Sequence, residues 1–151
     1  DAQLDLAKLQ FQNAADDYDG TTAGSLANFY LATDLLKNGE PDEALIILMN
    51  LSSKLEDEIL QSSIMNTIGN IYLNQGKYSS AIKQYLNAAD AVQLGPFMHR
   101  YQLNAARGYK LNNQYQDAHS IAKKILEADN LKYNIKNDTE ELIGELEHLM
   151  N

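Results

Sequence analysis

One spacing constrains this chain more than any other feature: residues of matching size recur every 37 positions. Ala44, Ala81 and Ala118 stand one step apart. So do Gly39, Gly76 and Asn113, then Leu35, Tyr72 and Tyr109, then Ala32, Gly69 and Ala106. The same step joins Leu31, Ile68 and Ala105, and Leu48, Tyr85 and Ala122. Self-similarity at a fixed period of this length means a supersecondary unit that buries one face against its neighbours in an array.

Within each unit the apolar spacing is that of helices. In the middle unit Ile68, Gly69, Tyr72 and Leu73 share one helical face, and Tyr78, Ala81, Ile82, Tyr85 and Ala88 mark a second helix. Gly76 between them can take the left-handed backbone that ends a helix at low cost. Gly69 and Ala81 fall where the two helices cross, so small side chains allow close approach. Tyr72, Tyr78 and Tyr85 fill the remaining space with hydroxyls able to reach water. The pattern predicts helices over 2–16, 23–37, 41–54, 60–75, 78–92, 97–112, 115–129 and 138–150. Pro41 and Pro96 open two of them, where a missing N–H costs nothing. Stepping back from Ala44, Leu48 and Leu51 reaches Ala7, Phe11 and Ala14, so 2–16 is the second helix of an incomplete unit. Stepping forward from Ala105 and Tyr109 reaches Leu142 and Leu146, so 138–150 is a lone first helix, with Asp138 and Glu141 as its capping box.

The run Ile68-Gly69…Tyr72…Gly76…Tyr78…Ala81…Tyr85…Ala88 resembles the tetratricopeptide repeat family. Leu31-Ala32…Leu35…Gly39…Ala44…Leu48 and Ala105-Ala106…Tyr109…Tyr115…Ala118…Ala122 are similar to it. The step exceeds the family's usual length by three residues, which implies longer loops between repeats. The aromatic that usually opens the first helix is replaced by Asn28, Met65 and Gln102. The resemblance implies an all-α, right-handed α-solenoid. One domain, residues 1–151, would hold repeats at about 23–57, 60–94 and 97–131, flanked by half-repeats at 2–16 and 138–150. A narrower resemblance covers the first third. Phe11…Tyr18-Asp19-Gly20-Thr21…Leu26-Ala27-Asn28-Phe29-Tyr30…Leu36-Lys37…Gly39…Glu43-Ala44 looks like bacterial envelope tetratricopeptide proteins, the ancillary subunit of the protein translocon among them. It implies a periplasmic or envelope location on an upstream membrane anchor, with the cytoplasm as the alternative.

Composition removes several functions. There is no cysteine, so thiol nucleophiles, disulfides and Cys-ligated metals are excluded. A net charge of −9 opposes nonspecific binding to nucleic acid or anionic lipid. No run of about 18 apolar residues exists to insert in a membrane. Glu145 and His148 have metal-ligand spacing but no second such pair, and Asp16-Asp17-Tyr18-Asp19-Gly20 lacks the alternating ligands of a calcium loop. No fingerprint of a hydrolase, a metalloprotease or a nucleotide-binding loop appears. No catalytic residue, metal or cofactor is expected, and the chain is not read as an enzyme.

In the family, first helices line a concave groove, and the resemblance implies which positions face it. They are Leu26, Phe29, Thr33 and Leu36 in the first unit, then Ser63, Asn66, Asn70 and Leu73, then Arg100, Leu103, Arg107 and Lys110. The sequence thus predicts a groove running from apolar through amide to cationic, suited to a peptide whose acidic groups meet the third unit. The carboxylate clamp of some family members is not reproduced. Phe29, Thr33 and Thr67 occupy three of its places, and Arg100 and Asn104 alone fit. The expected function is a scaffold binding a protein or peptide segment. The alternatives are self-assembly through the terminal helices and a regulatory helical part of a larger enzyme.

Overall fold

The structure, a computed structural model, describes residues 2–52, 55, 57–93 and 95–151, with the side chains of 2–5 left out. Among the described residues it has eight helices and no strand: α1 (Ala2–Asp17), α2 (Thr22–Lys37), α3 (Pro41–Ser52), α4 (Glu58–Asn74), α5 (Tyr78–Val92), α6 (Pro96–Leu111), α7 (Tyr115–Leu126) and α8 (Tyr133–Met150). Expected residues 53 and 54 of α3, and parts of the expected repeats at 53, 54, 56 and 94, lie outside the described residues.

The three turns inside the helix pairs are copies of one another. Glu40 N donates to Leu35 O, Lys77 N to Tyr72 O and Gln114 N to Tyr109 O, each at 2.9 Å. One residue earlier, Gly39, Gly76 and Asn113 donate to Leu36, Leu73 and Lys110 at 3.2, 3.0 and 3.1 Å. All three have positive φ, at 78°, 71° and 59°. This double bond pattern satisfies the last carbonyls of a helix and needs a left-handed residue, which is why glycine or asparagine recurs there.

The chain divides into two compact units, residues 1–64 and 65–151. In the first, α1 packs on α2 and α2 on α3. Ala27, Leu31, Ala32, Leu35, Ala44 and Leu48 are buried between them. Phe11 stacks on Tyr30 with ring centroids 5.8 Å apart. Lys8 reaches from α1 to Glu40 at 3.0 Å, and that bond raises the Lys8 pKa.

In the second unit, α5 packs on α6, α6 on α7, and α8 on both α6 and α7. Gly69 of α4 faces the ring of Tyr85, where an added Cβ would lie 2.6 Å from Tyr85 Cε1. Gly108 of α6 likewise faces Ile82, at 2.8 Å. Each of these glycines therefore admits a large side chain of α5, rather than backbone against backbone. The hydroxyl of Tyr85 does not reach water. It donates to Asn70 Oδ1 at 2.7 Å, and burial pushes its pKa up to about 12. Where the family's opening aromatic is missing, Met65 and the buried Tyr101 pack on Ala88 and Ala89 instead.

The start of the last helix differs from the expected one. α8 begins at Tyr133, five residues before Asp138, and α7 ends at Leu126 rather than 129. The cause is a buried stripe of Ile135, Thr139, Leu142, Ile143 and Leu146, which needs helix from before 135. Thr139 returns its hydroxyl proton to Ile135 O at 2.6 Å. Asp138 is consequently no cap. It lies inside the helix and is free to pair sideways.

Candidate functional site

In the first unit, the predicted groove positions lie along α2. Leu26 is 41% exposed, while Phe29 and Leu36 are half-buried. Thr33 spends its hydroxyl on its own helix, donating to Phe29 O at 2.8 Å. Ser63, at the start of α4, does the same toward Ile59 O at 2.9 Å.

In the second unit, amides from consecutive first helices meet. Asn104 of α6 donates to Asn66 of α4 at 2.9 Å. Both are half-buried, and Asn70 one turn further along α4 is exposed. An amide has two donors and two lone pairs, so each keeps capacity beyond its internal bond. Arg100 is exposed. Leu103 is not available to a ligand: it is 1% exposed and packed with Ala106, Ala118, Leu142 and Leu146 in the core.

Carboxylates of α8 stand beside two of the three cations expected at the third unit. Because that helix starts early and packs against α6, Arg107 Nη2 pairs with Asp138 at 3.1 Å and Lys110 Nζ pairs with Glu145. These cations, with Leu73, Leu111, Leu142 and Glu141, line a cleft of about 360 Å³ between α6 and α8. An acidic ligand group entering there would meet three carboxylates beside the two cations. The sequence held a signal for this. Asp138 and Glu145 follow Arg107 and Lys110 by 31 and 35 positions, on the first helix that comes one repeat later. On the other side of α8, Glu147 lies 3.7 Å from Lys123 and 3.4 Å from His119.

A family model described as a tetratricopeptide repeat-like domain matches residues 1–112. The chain belongs to that family. No curated relative matches it. Two solved structures are similar, both described as Podosopora anserina putative kinesin light chain nearly identical TPR-like repeats, one of them a point variant. Each is 17% identical with a TM-score of 0.73. The likeness covers 96% of this chain and 84% of the variant's, and 97% and 85% for the other. At that identity it establishes the fold, an all-α tetratricopeptide-type solenoid with three helix pairs flanked by single helices. Tetratricopeptide-like repeats are in general protein-interaction scaffolds and are typically non-catalytic. Among the described residues no helix is long and apolar enough to cross a membrane.

Proposed function

We propose that this tetratricopeptide protein is a non-catalytic scaffold that holds an extended or helical protein segment along the outward faces of its first helices. The observation that carries the reading is the amide pair Asn66–Asn104, 2.9 Å apart on consecutive first helices of the second unit. Paired amides beside the exposed Asn70 offer both donors and acceptors, the groups a peptide backbone needs. The first unit, taken by itself, presents Leu26, Phe29 and Leu36 on α2, which would take apolar side chains. A photo-crosslinking residue at Asn70 in the full chain, in the source cell, tests this, with Asp90 on α5 as the comparison position. Crosslinks should form at Asn70 and fall about tenfold when Asn66→Ala and Asn104→Ala remove the amides, a change equivalent to about 1.4 kcal/mol. Equal crosslinking at Asp90, or no response to the double substitution, refutes the site.

The envelope location is part of the same proposal and rests on the Phe11–Ala44 resemblance. The scaffold would work beside a membrane, on an anchor of about 20 apolar residues upstream. Reading the gene ahead of Asp1 tests it, and the absence of such a segment overturns it. Self-association through the ends is the second reading. Leu6 and Leu9 of α1 and Leu149 of α8 are about half exposed, at 54%, 56% and 49%. Sedimentation at several concentrations decides it; a concentration-independent monomer removes it.

A further inference from the structure

The net charge of this chain is not spread along it. Residues 1–64 carry twelve acidic side chains against three basic ones, which accounts for the whole −9, while residues 65–151 carry nine of each. One of the three basic groups in the first unit, Lys8, is already held by Glu40 and Glu43 at 3.0 and 3.9 Å. The first unit therefore presents a strongly negative surface and the second a balanced one.

Apolar surface is concentrated in the same unit. On α3, Ala44, Leu48 and Leu51 are buried, yet Ile46 on the outer side is 72% exposed and Met49, one turn on, is 52% exposed. Beside them is a cleft of about 200 Å³ between α3, the start of α2 and the α1–α2 turn. Ile46, Ile47 and Leu51 make its apolar wall, and Asp19, Asn28 and Asn50 its polar rim. Asp16 and Asp17, at the end of α1, stand exposed next to Asp19 along the chain. These side chains are not the predicted groove residues of α2.

We infer that the outer face of α3, with this cleft, is a docking surface for a protein segment carrying lysine or arginine beside aliphatic side chains. Ile46 and Met49 would bury the aliphatic groups, and Asp19 with its neighbours would hold the cation. Charge complementarity selects the occupant. The field of an acidic unit concentrates basic segments and repels nucleic acid and anionic lipid. Its reach is about 8 Å at physiological ionic strength, so attraction and contact act at one place.

The test uses the whole chain and two synthetic amphipathic helical peptides, one of leucine and lysine, the other of leucine and glutamate. Affinity is read by fluorescence anisotropy at low and raised salt. The leucine–lysine peptide should bind, more weakly as salt rises, and the leucine–glutamate peptide should not. The triple variant D16N/D17N/D19N and the single variant Ile46→Ser should each weaken binding about tenfold, with melting unchanged. E127Q/D129N/E141Q removes as many carboxylates from the balanced unit and should change affinity less than about twofold, since it leaves the proposed surface intact. Equal weakening by the two triple variants would reduce the effect to bulk charge and overturn the inference. So would an unaltered affinity of Ile46→Ser, binding of the leucine–glutamate peptide, or no binding of the leucine–lysine peptide.

Discussion

Alanine at Gly69 and alanine at Gly144 should have opposite signs, although both glycines lie inside helices. A methyl group at Gly69 would stand 2.6 Å from Tyr85 Cε1 and 2.8 Å from Cδ1. Carbon atoms settle at about 3.5–4.0 Å, so roughly 1 Å must be opened. The ring has no room to swing: Tyr85 is 1% exposed and its hydroxyl is tied to Asn70. Overpacking of this kind costs about 1–3 kcal/mol, while replacing a helical glycine by alanine returns about 1 kcal/mol. With the ring fixed, the upper part of the range applies, and Gly69→Ala should lose about 1–2 kcal/mol net. Around Gly144 nothing lies within 4 Å of the added carbon, so Gly144→Ala should gain about 0.5–1 kcal/mol. Chemical denaturation followed by helical circular dichroism measures both, and 1 kcal/mol corresponds to about 2–4 °C in melting for a chain of this length. Tyr85→Leu combined with Gly69→Ala should cost less than the sum of the two single changes, because the leucine no longer presents a ring to the methyl. The reasoning is wrong if Gly69→Ala is as stable as Gly144→Ala, or if the double variant is additive.

Three further outcomes are expected. Tyr85 ionises near pH 10 when unfolded and at about 12 when folded, so its contribution is complete below pH 10 and is lost as pH rises toward 12. The stability difference between wild type and Tyr85→Phe should therefore shrink across that window in alkaline denaturation. Asp138→Asn should alter stability by less than about 1 kcal/mol, since the residue makes one exposed ion pair and caps nothing; a larger loss would restore it as the start of α8. Ala81, fully buried beside Tyr85 and Ala105, should lose about 1–3 kcal/mol on replacement by leucine, and an unchanged melting temperature would remove it from the helix crossing.

The fold was legible wherever a residue type answers a local demand that recurs. Gly39, Gly76 and Asn113 each meet the same left-handed turn, and Ala44, Ala81 and Ala118 are each fully buried. Pro41 and Pro96 open α3 and α6 as their chemistry requires. The sequence puts the start of α8 at Asp138 because Asp138 and Glu141 fit a local rule, whereas the helix obeys a tertiary one, the burial of Ile135 and Thr139. That single error carried into the site. Reading Asp138 as a cap hides its pairing with Arg107 and leaves the third unit looking cationic. Position in the family's pattern puts Leu103 on the ligand side, but its side chain serves the core.

The three pair turns are closed systems: each bond begins and ends within six consecutive residues, Leu35 to Glu40 in the first case. Nothing in such a turn depends on how far away the next repeat begins. The spans between pairs differ in length, running from Ser52 to Glu58, Val92 to Pro96 and Leu126 to Tyr133. Length variation is thereby channelled to one class of seam. A protein assembled this way can lengthen its period, or accept a foreign segment, between pairs without disturbing the hinge that makes each pair.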